Sequence, residues 1–499
     1  MTMSNYTLLK ANSYIEEHKD KIVQDYRLNY HFTAPTGWIN DPNGFVFYKG
    51  EYHLFYQFHP YNSEWGPMHW GHAKSKDMIT WEHLPVALAP DTPADAGGCF
   101  SGSAIEKDGN LYLMYTGIMH VETENKTQQV QCIAVSKDGI NFEKVKQNPI
   151  IDASSLPINA VQEDFRDPKV FERNGIYYSV IVSKTKKETG QVLLYKSLDL
   201  INWEFKSILL EGQEEHGVMW ECPDLFELNG HDVLILSPIQ MPKKGHEFHN
   251  TSSSIVMVGR VDWNTGKFVK STLQEIDHGL DFYAPQTLQD ANGNRIMIAW
   301  MQMWGRTQPT HVERHGWAGA MTLPRVLEIK NEQLSQKAIN EINHYQTVEK
   351  EYHNIYLENE TKTVDSFSEP SLRIQLKANL ENAKTFFIEL PKNEDEKAVL
   401  LFQVEEGVME LSREYIGLPI LGSEDSTLVK RTVSIPLIDN QLQLDIFIDK
   451  SSIEVFINGG REVMSMTIFP LKAVYEYAIG VNGKVTINEL QHSSIHVGE

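Results

Sequence analysis

Three carboxylates in this 499-residue chain share a local setting. Asp41 stands in Trp38-Ile39-Asn40-Asp41-Pro42-Asn43-Gly44, Asp167 in Phe165-Arg166-Asp167-Pro168, and Glu221 in Trp220-Glu221-Cys222-Pro223-Asp224. Brought around one sugar ring, such acids suit glycosidic bond cleavage. One, ionised, attacks or stabilises a sugar cation while another, protonated, donates to the leaving oxygen. The amide of Asn40 could orient Asp41 and bond sugar hydroxyls. Arg166, permanently charged, would hold a neighbouring carboxylate ionised where the two meet. Trp220 points to an aromatic, poorly solvated setting for Glu221, which raises a carboxyl pKa as a general acid requires. Singly, each acid also reads as a turn or cap residue; three in matching positions read as a site.

What must position them is a repeat. Each acid precedes a β-rich run that breaks at a turn glycine and resumes, with breaks at Gly50, Gly175 and Gly230. Ser101-Gly102 with Asp108-Gly109, and Ala284-Pro285 with Asn292-Gly293, are two further copies lacking the acid. Asn-Gly and Asp-Gly between β-rich runs mark hairpins. A second frame, Ser-x-Asp-x-Ile/Leu-x-aromatic, interleaves with the first. It starts at Ser75, Ser136 and Ser197, a constant 61-residue period, and Asp262-Trp263 to Phe268 is a looser copy. One hairpin and one such turn per period is the pattern of four-stranded blades, and five hairpins predict a five-bladed β-propeller. Radial repetition then brings Asp41, Asp167 and Glu221 to one mouth of the central channel.

The length predicts two domains. Residues 7–24 carry an amphipathic pattern, so 1–29 are expected as an N-terminal helical cap and 30–330 as the propeller. The polar, charged stretch 331–360 lacks both frames and reads as a linker. Beyond it, 361–499 shows alternating runs such as Leu442 to Ile448 and Ser452 to Ile457, turned at Asn458-Gly459-Gly460, and reads as a C-terminal β-sandwich. The expected class is therefore all-β. Such sandwiches either pack within a subunit or pair between subunits, so a homodimer stays open.

A net charge of −22 argues against nucleic acid and anionic membranes as partners. No apolar run reaches spanning length, and charges interrupt the N-terminal segment where a signal peptide needs an apolar centre. The cytoplasm is the expected compartment. Cys99, Cys132 and Cys222 form no CxxC and no disulfide framework, and Cys222 reads as a small buried filler. His69-Trp70-Gly71-His72 and His246-Glu247-Phe248-His249 do not match HExxH, so neither a metal nor another cofactor is expected. Trp38, Trp65, Phe100, Tyr283, Trp300 and Trp304 lie near blade starts, where rings either pack a core or floor a sugar site. Lys243-Lys244 and the group Arg306, His311, Arg314, His315 are basic islands: solvated loops, or a phosphate-binding rim.

Trp38 to Gly44, Phe100-Ser101-Gly102-Ser103, Phe165 to Pro168 and Trp220 to Asp224 resemble the signature blocks of glycoside hydrolase family 32. So do Asp281 to Gln286, Gly316 to Gly319 through Pro324-Arg325, and Asp449 to Phe456. This family holds invertases, sucrose-6-phosphate hydrolases, inulinases and levanases. The resemblance implies a five-bladed propeller with a C-terminal sandwich and a retaining β-fructofuranosidase. Asp41 would be the nucleophile that forms a fructosyl-enzyme, Glu221 the acid/base, and Asp167 the residue that holds fructose hydroxyls and stabilises the transition state. Asn40, Gln57, Trp65, Phe100, Ser101, Arg166, Tyr283 and Trp304 would surround the fructose. Sucrose, sucrose 6-phosphate and short fructo-oligosaccharides are the implied substrates. Ile39, where relatives often carry methionine, is a volume-conserving exchange.

Overall fold

The turn chemistry of the sequence shapes each blade. Ser75, Ser136 and Ser197 accept the backbone N–H three residues on, at 2.7, 2.8 and 2.9 Å. Asp77, Asp138 and Asp199 then accept the next two N–H groups, so each Ser-x-Asp frame is a local hydrogen-bonded turn between the third and fourth strands. Between the first and second strands, Lys49-Gly50, Asp108-Gly109, Asn174-Gly175 and Asn229-Gly230 take positive φ at both positions. That is the two-residue turn whose twist matches a hairpin. The fifth hairpin is longer, running from Gln289 to Arg295 around Asp290, whose carboxylate accepts the Asn292 and Asn294 amides.

The computed structural model describes residues 6–121, 126–366, 370–424, 428–472 and 476–498. Five four-stranded antiparallel blades form a propeller. Their innermost strands are Gly37–Tyr48, Cys99–Lys107, Ala160–Arg173, Met219–Leu228 and Tyr283–Gln289. A short strand from the fifth blade's long loop, Trp317–Ala318, pairs in parallel with Gly37-Trp38 and closes the ring.

The polar stretch 331–360, which composition assigns to a linker, is ordered secondary structure. Gln333–Ala338 is the outer strand of the fifth blade, paired with Arg325–Lys330, and Gln346–Glu358 is already a sandwich strand paired with the C-terminal strand Glu476–Ile495. An outer blade strand and a sheet-edge strand each leave one side to solvent, so neither needs the apolar alternation that marks a central strand. The N-terminal helix spans Leu8–His18, ending before residue 24 in a short 3-10 turn. It lies on the first blade, where Asn12 accepts the Val86 amide.

In the C-terminal domain, two long strands, Leu372–Lys392 and Glu476–Ile495, pair with each other and bend so that each serves both halves of a ten-stranded sheet. The apolar alternation of these strands fills the space between the halves, with Ile374, Leu376, Phe386, Ile388, Ile446, Val455 and Ile479 all buried. Buried ion pairs weld this sandwich to the propeller. Arg325 bonds Asp277 and Glu454, His31 bridges Asp449 and Glu454, and Arg413 reaches Asp281. Among the described residues no helix is long and apolar enough to cross a membrane.

Candidate active site

Each inner strand breaks register at the same level. The shifts fall between Ile39 and Pro42, Phe100 and Gly102, Arg166 and Lys169, Glu221 and Asp224, and Tyr283 and Gln286. A bulge inserts an extra residue and re-aims its side chain. In three blades the residue before the proline takes positive φ: Asp167 at 61°, Cys222 at 49° and Ala284 at 53°. Non-glycine residues adopt this conformation at a cost of about 1–3 kcal/mol, which the surrounding sheet must offset. The Pro that follows has no N–H to give the ladder, so the bulge sits where a missing donor does least harm.

The bulges deliver the three acids to one network. Asp41 is nearly buried; its Oδ2 accepts from Ser101 Oγ at 2.7 Å and its Oδ1 from Asn40 Nδ2 at 3.0 Å. Asn40 is itself oriented by the Trp38 indole N–H at 2.9 Å. The Cys222 backbone N–H donates to Asp167 Oδ2 at 3.0 Å, and its Sγ stands 3.5 Å from Asp41 Oδ2 and 3.8 Å from Asp167 Oδ2. Arg166 donates through Nε and Nη2 to Glu221 Oε1, at 3.2 and 2.9 Å. Tyr283 donates its hydroxyl to Glu221 Oε2 at 2.6 Å.

Two local expectations change here. Glu221 does not sit in an apolar pocket: Trp220 turns away and bonds the His216 carbonyl, while Arg166 and Tyr283 hold both carboxylate oxygens. Trp220 precedes the register shift that begins at Glu221, so it keeps the strand's alternation and faces away from its neighbour. Cys222 is no mere filler, since its thiol bridges two of the acids. Arg166 in turn lies closer to Glu221 and Asp164 than to Asp167, which is 3.9 Å away.

Burial raises the pKa of Asp41, and the Glu221 charge adds to this, against the hydrogen bonds from Ser101, Asn40 and Cys222. Asp167 is raised as well, by burial and by Glu221 and Asp41, with Arg166 opposing. Burial and the three carboxylates push the Cys222 thiol up, so it remains a protonated donor rather than a nucleophile. Burial opposes the charge of Arg166, but Glu221, Asp167 and Asp164 outweigh it. Asp41 and Asp167 are thus both held above the ordinary carboxylate range, each by burial and by the carboxylates beside it.

The remaining candidates fall into two groups. Ser101, Asn40, Arg166 and Tyr283 are in the network, and Gln57 is buried behind it, its amide bonding the Cys99 carbonyl at 3.0 Å. Phe100, Trp304 and Trp65 form a rim. Trp304 packs against Trp38 and Trp300, and Trp65, 51% exposed, stands edge-on to Phe100 at 6.1 Å. Trp300 is wholly buried core. His72 bonds His53, His69 bonds the Pro67 carbonyl, and His246 bonds Thr432, so the two histidine motifs are used in packing. Sequence reasoning missed Thr116, whose hydroxyl accepts the Asp167 N–H at 2.9 Å, and Asp164, which shares Arg166 with Glu221. Thr116 lies mid-strand with no motif around it; Asp164, two residues before Arg166, was visible as an alternating partner.

Comparison with known proteins finds matches along nearly the whole chain. Residues 31–338 match the family model for the glycosyl hydrolases family 32 N-terminal domain, and 341–494 that for the family 32 C-terminal domain. The chain is 37% identical to a sucrose-6-phosphate hydrolase of Escherichia coli, over 94% of each chain. It is 36% identical to a raffinose invertase of Escherichia coli, over 88% of this chain and 89% of that one. Among solved structures it is similar to a Bombyx mori GH32 beta-fructofuranosidase, at 35% identity, 98% coverage of both chains and a TM-score of 0.83.

Proposed function

This chain belongs to glycosyl hydrolase family 32, as a β-fructofuranosidase, and from that premise we propose that it cleaves terminal non-reducing β-D-fructofuranosides with retention, through a fructosyl-enzyme. The observation that carries this reading is the single network in which Cys222 and Arg166 tie Asp41, Asp167 and Glu221 together from three blades. Asp41, fixed by Ser101 and Asn40, attacks the anomeric carbon as the glycosidic C–O bond breaks. Glu221 gives its proton to the departing oxygen. Arg166 occupies Oε1, which leaves Oε2 to carry that proton, the Tyr283 hydroxyl then donating to the Ser237 carbonyl and accepting from Glu221. Glu221 then takes a proton from water, whose oxygen attacks the same carbon and frees Asp41. Asp167 binds ring hydroxyls and, close to Asp41, supports positive charge developing on the sugar.

Sucrose, sucrose 6-phosphate and short fructo-oligosaccharides are the proposed substrates. One relative is named a sucrose-6-phosphate hydrolase, and a variant of the Bombyx mori enzyme is solved in complex with sucrose. The reading places the enzyme in the cytoplasm, where imported sugars arrive. Proton NMR of fructose in the first seconds of sucrose hydrolysis tests the mechanism: β-fructofuranose appears first under retention, whereas an initial α anomer would defeat it.

A further inference from the structure

Two members of the basic islands are engaged away from the three acids. Arg306 is buried between Asp281 and Glu424, at 3.0 and 2.9 Å, and His315 is buried and stacks on Tyr26. A cation outside those islands reaches the acids instead, through one intermediate. Lys184, on the strand Ile176–Thr185, stands 3.0 Å from Asp164 Oδ2, and Asp164 Oδ1 accepts from Arg166 Nη1 at 2.9 Å. The ladder between this strand and Ala160–Arg173 shifts register between Phe165 and Ala160. Asp164 falls within that shift, where a bulge re-aims side chains, and it meets both cations.

The Arg166 guanidinium is thereby gripped from both ends. Nε and Nη2 hold Glu221 Oε1, while Nη1 holds Asp164 and, at 3.4 Å, Gln129 Oε1 from the second blade. Arginine carries its planar fork on a long, flexible stem. With one anchor the fork would be free to turn toward Asp167, whose Oδ2 is 3.9 Å from Nε. The anchor on Nη1 opposes that turn. Burial raises the pKa of Asp164, but Arg166 and Lys184 outweigh it and hold the carboxyl below its ordinary range. The anchor is therefore an anion, and a charged hydrogen bond is about twice as strong as a neutral one.

We propose that Asp164 is a positioning residue for the reaction: braced by Lys184, it fixes the outer edge of the Arg166 guanidinium so that the inner edge stays on Glu221. The inference rests on the fructosidase reading above. An ordinary cross-strand ion pair adds a little stability and nothing to turnover. Here the shared cation is the one that occupies Oε1 of Glu221 and leaves Oε2 for the proton, so a misplaced fork disturbs the acid itself. Among the described residues, the charged groups facing Arg166 are Glu221, Asp167 and Asp164, and those facing Asp164 are Arg166 and Lys184. The charge of Asp164 therefore also tempers the pull of Arg166 on the other acids.

The test is sucrose hydrolysis by the full chain carrying Asp164→Ala, Asp164→Asn, or Asp164→Ala together with Arg166→Gln. Asp164→Ala should lower kcat about tenfold with KM within about threefold, the scale of a slightly misplaced group. Asp164→Asn keeps an oxygen for Nη1 and should recover most of that loss. It also removes a negative charge, so the acidic limb of kcat/KM should move to lower pH, opposite to the shift from Arg166→Gln. In the Arg166→Gln background, Asp164→Ala should cost less than about twofold more, because Asp164 acts through the arginine. An undiminished loss in that background, or Asp164→Ala activity within about twofold of wild type, overturns the proposal. Should Asp164→Ala fail to fold, seen in its melting temperature, Asp164→Asn decides: an acidic limb that stays in place or moves upward overturns the proposal. A wild type that releases no fructose from sucrose defeats the fructosidase reading, and this inference with it.

Discussion

Arg166 and Glu221, on the inner strands of adjacent blades, meet through two guanidinium N–H groups on one carboxylate oxygen, at 3.2 and 2.9 Å. Their contact leaves Oε2 of Glu221 to the Tyr283 hydroxyl, and the Glu221 charge acts on both Asp41 and Asp167. Arg166→Gln should therefore lower kcat by about 10²–10³, the scale of losing a preorganised charged donor. Arg166 holds down the pKa of Asp167, so its removal should also move the acidic limb of the pH–rate profile to higher pH. A variant with the wild-type limb would show that the guanidinium does not govern the cluster.

Asp41→Asn keeps the size of the side chain and can still bond Ser101 and Asn40, so the fold should survive unchanged by circular dichroism and melting temperature. Turnover of sucrose should fall by more than about 10⁴, the loss typical of a removed nucleophile. Near-normal hydrolysis by this variant would defeat the assignment of Asp41.

Cys222 lowers the pKa of Asp41 through its thiol hydrogen bond while its own thiol stays protonated. Cys222→Ala removes that bond from the reacting carboxylate without creating a large cavity. The pKa of Asp41 then rises, and the acidic limb of kcat/KM shifts to higher pH. The thiol of the native protein should also resist alkylation at neutral pH, measured as slow loss of activity with iodoacetamide.

His31 joins the two domains, and its titration should be visible in stability. Burial opposes its charge, but hydrogen bonds to Asp449 and Glu454 outweigh it and raise the pKa from 6.5 to about 9. A folded-state pKa above the unfolded one stabilises fully below about pH 6.5, and the stabilisation is lost as pH rises through 9, by roughly 3 kcal/mol. Glu454, paired with Arg325 and His31, is held down to about 2, so its contribution is present above about pH 4.5 and lost as pH falls through 2. Melting temperature should thus decline between pH 7 and 9.5, and His31→Gln should be less stable at pH 6 but flatter across that range. An unchanged slope in the variant would assign the decline to other groups.

Trp65 is half exposed and meets Phe100 only by its edge, so Trp65→Ala should leave the melting temperature unchanged. Loss of a ring that stacks on sugar should raise KM about tenfold with kcat within a few-fold. Parallel losses in kcat and KM would instead indicate a disturbed channel.

The sequence by itself determined the features that depend on neighbours in the chain. The Ser-x-Asp turns close on their own backbone within three residues and recur every 61 residues, and the five glycine hairpins need positive φ at fixed positions, so the two frames together carried the blade count and the shared level of the three acids. Only the tertiary structure decided partners. Arg166 stands next to Asp167 in sequence yet bonds Glu221, because the bulge between Arg166 and Lys169 turns Asp167 toward Cys222. Thr116 and the Cys222 thiol joined the site through contacts between blades, which no local pattern encodes. The fifth blade's outer strand escaped notice for the complementary reason: a strand with one face in water need not look apolar, and its place is fixed by the strand it pairs with.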